Sequence, residues 1–143
     1  MADIVTPQTP HIERPFGWKT WRVTPEALTG VTDVTVATLP ADTVVLGGRI
    51  VCISGDVGAT ASTVDVEIGT TGAGDTELMS GGADFLGTAG ATESAFTDAN
   101  LSVINANSLG GSDLVVNAEV TYSGTATSAP VFEVSLLCGR NEI

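Results

Sequence analysis

The chain holds few histidines and cysteines, the side chains on which most nucleophilic triads and structural zinc sites depend. Its single histidine is His11, and its two cysteines, Cys52 and Cys138, lie inside apolar runs. A hydrolytic triad needs a base held against the nucleophile, and a structural zinc ion needs four ligands, so we expect neither site. The cysteines fit two reduced, buried thiols, and a disulfide between neighbouring strands stays open as an alternative.

Four carboxylates are candidates for a calcium site: Asp65, Glu67, Asp75 and Glu77. The candidate pair for acid–base catalysis is Asp65 with Glu67. Calcium takes several oxygen ligands, and glycoside hydrolysis needs two acids about 5 to 10 Å apart in a cleft. The chain has neither a D-x-[DN]-x-[DN]-G loop nor evident aromatic platforms for a sugar. We therefore expect a solvated acidic face, no catalytic residue, no metal and no cofactor, and whether a cation binds the acidic loops stays open.

The first 22 residues concentrate side chains that suit an interface. They hold three of the five cations and both tryptophans and carry a net charge of +1, whereas the remaining residues carry −13. Trp and Arg side chains dominate many interfaces. We therefore expect partner binding through Arg14, Phe16, Trp18, Trp21 and Arg22. The alternative is that both tryptophans only cap the core.

The net charge of −12 narrows the range of partners. A body this acidic is repelled by phosphates, so we expect no nucleic acid. No stretch approaches a membrane span and no signal peptide is visible, so we expect no membrane and assembly in a cytoplasm. The acid excess fits either a salt-rich environment or protection against self-association. The mean hydropathy of +0.30 suggests that other subunits cover part of the surface.

The N-terminal residues and the rest of the chain have different local patterns. Pro7, Pro10 and Pro15 forbid a helix near the N-terminus and favour extended backbone. We therefore predict an extended arm over residues 1–17 and one domain over residues 18–143. The domain shows no amphipathic helix of ordinary length, and its apolar residues alternate as they do in strands.

Seven or eight strands are expected, which predicts an all-β, single-domain antiparallel β-sandwich or jelly roll with its strand order open. Val44–Ser54 is apolar on both faces, so we predict a central strand covered on two sides, with a bulge at Gly47-Gly48. One helical turn is expected at Asp75–Met79, and the last two strands are expected to form an antiparallel hairpin. The predicted strands are Trp18–Val23, Val31–Leu39, Val44–Ser54, Thr63–Gly69, Leu101–Asn107, Asp113–Ser123 and Pro130–Cys138.

Two stretches resemble small structural proteins of tailed bacteriophages. Leu39–Val51 reads LPADTVVLGGRIV and is followed by VDVEIG at Val64–Gly69. These resemble a phage pattern of LPA-x-T-V-V, a strand, V-x-V-x-I/V-G and an irregular loop. The closing strands, around Val120–Gly124 and Val131–Val134, are similar as well. Such proteins are often head decoration (cement) proteins, and others are tail or fibre components.

The resemblance implies a non-enzymatic virion protein that binds the outer surface of a capsid. Its implied partner is the major capsid protein, and its implied assembly is a homotrimer over a local symmetry axis. The implied location is the capsid surface of the virion. The alternative is a tail or fibre component with a receptor- or glycan-binding sandwich. The resemblance supplies no catalytic residues.

Overall fold

Two antiparallel sheets lie face to face in the computed structural model, which describes residues 3–7, 16–41, 43–54, 63–70, 79–80, 85–87, 92–93 and 113–140. In chain order the elements are β1 (Ile4–Pro7), β2 (Phe16–Thr24), β3 (Thr29–Leu39), β4 (Thr43–Ser54), β5 (Thr63–Gly69), β6 (Met79–Ser80), a 3-10 turn (Phe85–Gly87), β7 (Thr92–Glu93), β8 (Leu114–Thr125) and β9 (Val131–Arg140).

The described strands divide into a five-stranded and a four-stranded sheet. Sheet A has the order β1-β2-β9-β4-β7, and sheet B has the order β3-β8-β5-β6. Every registered pair is antiparallel. Because β6 and β7 have two residues each, seven longer strands carry the fold. The expected all-β antiparallel sandwich is confirmed, and this strand order does not by itself assign it to the jelly rolls.

The core is one layer of side chains that both sheets contribute. In β8 alternate side chains from Leu114 to Tyr122 point into this layer, and in β9 those from Phe132 to Cys138 do the same, as their period of two predicted. The inward side chains of β5 are buried as predicted. The largest fully buried side chains include Phe132, Ile50, Ile68, Leu86, Leu114 and Leu136.

The predicted hairpin between the last two strands is wrong. β8 lies between β3 and β5 in sheet B, whereas β9 lies between β2 and β4 in sheet A. The connection between them therefore crosses from one sheet to the other. At this crossing the backbone N–H of Ala126 donates to the carbonyl of Leu28, at 2.7 Å, and so ties it to the β2–β3 connection. The apolar alternation predicted the buried face of each strand correctly, but it carries no information on which strand lies beside it.

The prediction that β4 is covered on both faces is also wrong. Val45, Ile50 and Cys52 point into the core, but Leu46 is 44% exposed and Ile53 is 38% exposed. The bulge predicted at the glycines is confirmed, because the register with β9 shifts between Val45 and Gly47. The apolar residues on the second face of β4 are therefore surface residues.

The free N-terminal arm is not confirmed. Ile4–Pro7 forms β1, an edge strand of the same sheet that pairs with Trp21–Thr24 of β2. The Asp3 carboxylate accepts a hydrogen bond of 2.6 Å from the backbone N–H of Glu26, which fastens β1 to the β2–β3 connection. Residues 8–15 lie outside the described residues. The first residues that the structure describes thus belong to the sandwich.

Two further predictions fall largely outside the described residues. The strand predicted at Leu101–Asn107 lies there entirely, and so does the turn predicted at Asp75–Met79 except for Met79, which begins β6. In the described part of the chain, no helix has the length and apolar character to cross a membrane.

The two cysteines are free and buried, in neighbouring strands of sheet A. Cys138 is opposite Val45 and Cys52 is opposite Phe132. The register position of Cys52 on β9, Phe132, is therefore six residues from Cys138, which corresponds to about 20 Å at the rise of a strand. A disulfide needs Cα atoms within about 7 Å, so these two thiols do not pair within one chain.

Tyr122 offers a test of the core. Its hydroxyl is buried without a hydrogen-bond partner among the described residues. Burial, and secondarily the Asp3 carboxylate, raise the pKa of Tyr122 to about 12. An unsatisfied buried hydroxyl costs about 1 to 3 kcal/mol of desolvation, so we expect Tyr122→Phe to leave the free energy of unfolding unchanged or raise it by about 1 kcal/mol in a urea titration. Tyr122→Leu, which also removes the ring, should lower it by about 2 kcal/mol. A loss above 1 kcal/mol for Tyr122→Phe would show that the hydroxyl has a partner.

The thiols offer a second test. Burial raises the pKa of Cys138 to about 11, and burial also raises the pKa of Cys52. Because only the thiolate reacts, Cys138 should react with iodoacetamide at pH 8 on the order of a hundredfold more slowly in the folded protein than in urea, and Cys52 should also react more slowly. Mass spectrometry counts the labelled thiols. Fast labelling of the folded chain would show that these strands open readily.

Candidate partner-binding surface

The charged residues of the strands are divided between the two sheets. The strands of sheet A hold four of the five cations of the chain, Lys19, Arg22, Arg49 and Arg140, with the carboxylates Glu93 and Glu133. The strands of sheet B hold four carboxylates, Asp33, Asp65, Glu67 and Glu119, and no Lys or Arg. The described strands of sheet A therefore carry charges of both signs, whereas those of sheet B carry only negative charges.

The outer face of sheet A, defined as the side chains that point away from sheet B, carries an apolar group. Trp18 is directly opposite Leu137 on β9, and Leu137 is in turn opposite Gly47 on β4. Trp18 is 51% exposed, and the adjacent Leu46 is also exposed. A Cβ added at Gly47 would lie 3.9 Å from the Leu137 Cβ, an ordinary van der Waals contact, so Leu137 lies directly beside the bulge and leaves room for a small side chain there.

Polar residues continue the same face along β2, β9 and β4. The Thr20 and Ser135 hydroxyls are hydrogen-bonded at 2.8 Å, and Arg49 is in register with Ser135. One step further, an Arg22 guanidinium N–H donates to Glu133 Oε1 at 3.1 Å. An exposed ion pair contributes at most about 1 kcal/mol, so its main effect is to hold Arg22 against its own sheet. Arg49 is exposed and has no hydrogen-bond or ion-pair partner among the described residues.

The outer face of sheet B presents carboxylates in one row. Asp33 is opposite Glu119 across β3 and β8, and Glu67 is opposite Glu119 across β5 and β8. Like charges directly opposite each other in a sheet are destabilising. Asp65 is two residues from Glu67 on β5. Its pKa is raised, mainly by burial and in addition by the charge of Glu119. A 2.8 Å hydrogen bond from the Val66 N–H to the Asp65 carboxylate acts in the opposite direction and lowers this pKa.

The residues predicted to bind a partner are not brought together as one cluster. Trp18 and Arg22 lie on the outer face of sheet A, and Phe16 begins β2 opposite Gly139. Trp21 is 9% exposed and packs in the core, which is the alternative that the sequence left open for it. Arg14 and His11 lie outside the described residues.

Sequence reasoning missed three residues of this face: Leu46, Arg49 and Leu137. Leu46 lies in Val44–Ser54, which was predicted to be covered on both faces, and Leu137 lies on the face of the last strand that was not assigned to the core. The signal that was available is Arg49, one of only two cations after residue 22, standing in the middle of a β-branched apolar strand. A long cation in such a strand favours a solvent-facing side.

The carboxylates proposed as cation ligands are only partly described. Asp65 and Glu67 are on the outer face of sheet B, and Asp75 and Glu77 lie outside the described residues. Within the described ranges, no three His, Cys, Asp or Glu side chains form a group that could hold a metal ion.

The fold is similar to that of chains in two phage capsids. The first is from "Capsid of Ralstonia phage GP4", with 16% identity, a TM-score of 0.56, and coverage of 95% of this chain and 92% of that chain. The second is from "Cyanophage Pam1 capsid asymmetric unit", with 17% identity, a TM-score of 0.56, and coverage of 92% and 90%. No family model and no curated protein matches the sequence. At these identities the comparison establishes a shared fold over nearly the whole length of all three chains.

Asp65 provides a test of the acidic face. Its pKa is raised in the folded protein, so the folded state binds more protons than the unfolded state near that pKa, and the stability falls as the pH rises through it. We expect Asp65→Asn, which keeps an acceptor for the Val66 N–H, to raise the free energy of unfolding at pH 7 by roughly 0.5 kcal/mol. The gain should shrink as the pH is lowered through the folded pKa of Asp65.

The matched control is Asp113→Asn, at an exposed position before β8 and outside the acidic row, which should change the stability less. Urea titrations at pH 7 and at pH 3.5 provide the comparison. A loss of stability in Asp65→Asn at pH 7 would contradict the proposed repulsion.

Proposed function

We propose that this protein is a non-enzymatic structural component of a phage virion that decorates the capsid. In this proposal it binds the outer surface of a shell built by the major capsid protein and stabilises that shell. The observation that carries the proposal is the fold similarity to a chain in each of two phage capsids.

The extent of the similarity gives it weight. Each alignment covers at least nine tenths of both chains, so the match involves a whole domain of similar size and not a fragment shared by unrelated folds. The phage-like motifs at Leu39–Val51 and Val64–Gly69 were noted from the sequence independently of this comparison. They lie on β4 and β5, which belong to different sheets.

The described side chains support attachment in preference to catalysis. Both thiols are buried with raised pKa values, the opposite of what a catalytic cysteine requires. The acidic side of the sandwich would repel a nucleic acid. We therefore propose a protein that has no cofactor and works through buried area.

The proposed contacts are those of the N-terminal region with the shell. Trp18 and Arg22 present their side chains on a solvent-facing side, and Arg14 and Phe16 belong to the same proposal. Assembly as a homotrimer over a local threefold axis would multiply weak contacts, because linked copies bind with avidity. A deletion of residues 1–17 would remove β1 and part of β2 from sheet A, so point variants are the better probes.

Purified protein mixed with shells of its own phage that lack it tests the proposal. We expect saturable co-sedimentation, density on the outside of the shell by cryo-EM, and shells that release their contents at a higher temperature. The stoichiometry gives the number of copies at each symmetry axis.

Two results would overturn this function. Density at the tail or fibres alone would favour a tail component with a receptor- or glycan-binding sandwich. Hydrolysis of a glycan by the purified protein would show that it is an enzyme.

A further inference from the structure

We infer that the protein docks on the shell through the outer face of sheet A, with the acidic face of sheet B turned away from the shell. This inference rests on the proposed function and adds the surface, the orientation and the chemistry of the partner. The partner surface would be apolar at its centre, with a carboxylate placed to meet Arg49.

The first observation is the uneven distribution of exposed apolar side chains. Of the six large hydrophobic side chains that are exposed in the described residues, four lie on the outer face of sheet A: Ile4, Trp18, Leu46 and Ile53. The other two, Val31 and Val115, lie on sheet B and are smaller. Trp18 and Leu46 flank Leu137 at one end of this face. Ile4, which is opposite Thr24, and Ile53, which follows Cys52, lie near its other end. The group around Leu137 is therefore the contiguous one, and contiguous exposed apolar area on a soluble protein commonly marks an interaction site.

The second observation is the position of Arg49 relative to this apolar group. Arg49 lies on β4 opposite Ser135, two residues along β9 from Leu137. The neighbouring Arg22 is already paired with Glu133, at 3.1 Å, so the carboxylate nearest to this part of the face is engaged. An exposed guanidinium beside a Trp and two Leu residues combines the side chains that most often dominate binding energy. A partner carboxylate could pair with Arg49 in a bidentate manner.

The third observation is electrostatic. The chain carries −12, yet the described side chains on the outer face of sheet A include two cations, Arg22 and Arg49, and one carboxylate, Glu133. Lys19 does not add to this face, because it is in register with the buried Leu136 and lies near the Cys138 thiol. The outer face of sheet A is therefore the part of the sandwich that an acidic partner approaches with least repulsion.

Glu119, at the centre of the carboxylate row of sheet B, is already buried, whereas Asp33 is exposed and Asp65 and Glu67 are half-buried. Burying these three carboxylates in an interface without countercharges would be costly, so they belong on the solvent side.

A second copy of this chain suits the face less well than the shell does. Two copies that met through the same face would each offer the other the same side chains, and the described carboxylate of that face, Glu133, is already paired with Arg22, so it is not free to pair with Arg49. A contact between sheet A of one copy and sheet B of the next would use opposite sides of the sandwich, and such head-to-tail stacking extends into an open filament. The proposed occupant is therefore the shell protein.

The area of this face limits the affinity that a single copy can have for the shell. Its three long strands, β2, β9 and β4, span about 14 Å by 30 Å, or roughly 400 Å² in projection. A standard interface buries about 800 Å² on each partner. One copy would therefore bind weakly through this face alone, and symmetric copies on one axis would supply the remaining affinity by avidity.

The test compares matched variants on the two faces in co-sedimentation with shells that lack the protein. Trp18→Ser, Leu46→Ser and Arg49→Ser should each weaken shell binding at least tenfold. Val31→Ser and Val115→Ser, at comparably exposed positions of sheet B, should change it by less than twofold. Arg49→Lys, which keeps the charge but loses the planar fork, should lie between the wild type and Arg49→Ser. Urea titrations check that all five serine variants fold.

The outcomes separate this inference from the proposed function. If the wild type binds and the two sets of variants behave alike, the docking face is wrong and the proposed function stands. If the wild type does not bind shells, both are overturned. If Trp18→Ser or Leu46→Ser changes the mass of the free protein in solution, the face joins copies of this chain, and the inference is again overturned.

Discussion

The sandwich depends on one shared layer of side chains that the two central strands fill from opposite sheets. β8 and β9 are consecutive in the chain, yet each is flanked by two strands in its own sheet, and all their inward side chains are buried. Because the chain crosses between sheets after β8, the two strands face each other through the core and do not pair edge to edge. The Ala126–Leu28 hydrogen bond joins this crossing to the β2–β3 crossing, so two of the places where the chain passes from one sheet to the other are directly linked.

That arrangement explains how far the sequence could predict the structure. A period of two determines which side chains are buried, and it identified β5, β8 and β9 nearly to the residue. The same period does not indicate which strands lie side by side in a sheet, because two strands with alternating buried residues can form a hairpin or can lie in different sheets. The candidate surface was missed for a related reason: its parts lie on β2, β4 and β9, which are far apart in sequence and meet only through the strand order.

The charge division along the chain has a structural counterpart that differs from the expected arm. Lys19 and Arg22 lie in β2, and the order β2-β9-β4 places them in the same sheet as Arg49 and Arg140. What the sequence shows as a cationic N-terminus is thus part of a cationic sheet. The described residues before β2 belong to the same sheet, because β1 adds a four-residue strand at its edge. The two long outer faces differ in charge because they are built from different sets of strands, not because one end of the chain is charged.

The open edge of sheet B shows how the acidic side stays free of strand pairing. β3 is an edge strand of 11 residues, long enough to attract a strand from another copy. Its register with β8 shifts twice, and Gly30, with a φ of 71°, adopts the left-handed conformation at the first shift. Asp33 adds a charge in the middle of the strand. Bulges and a central carboxylate are the devices that discourage edge pairing, so among the described strands this edge of sheet B is protected against pairing with a further strand. Under the proposed function many identical copies would lie side by side on one shell, and these features of β3 would limit strand pairing between them.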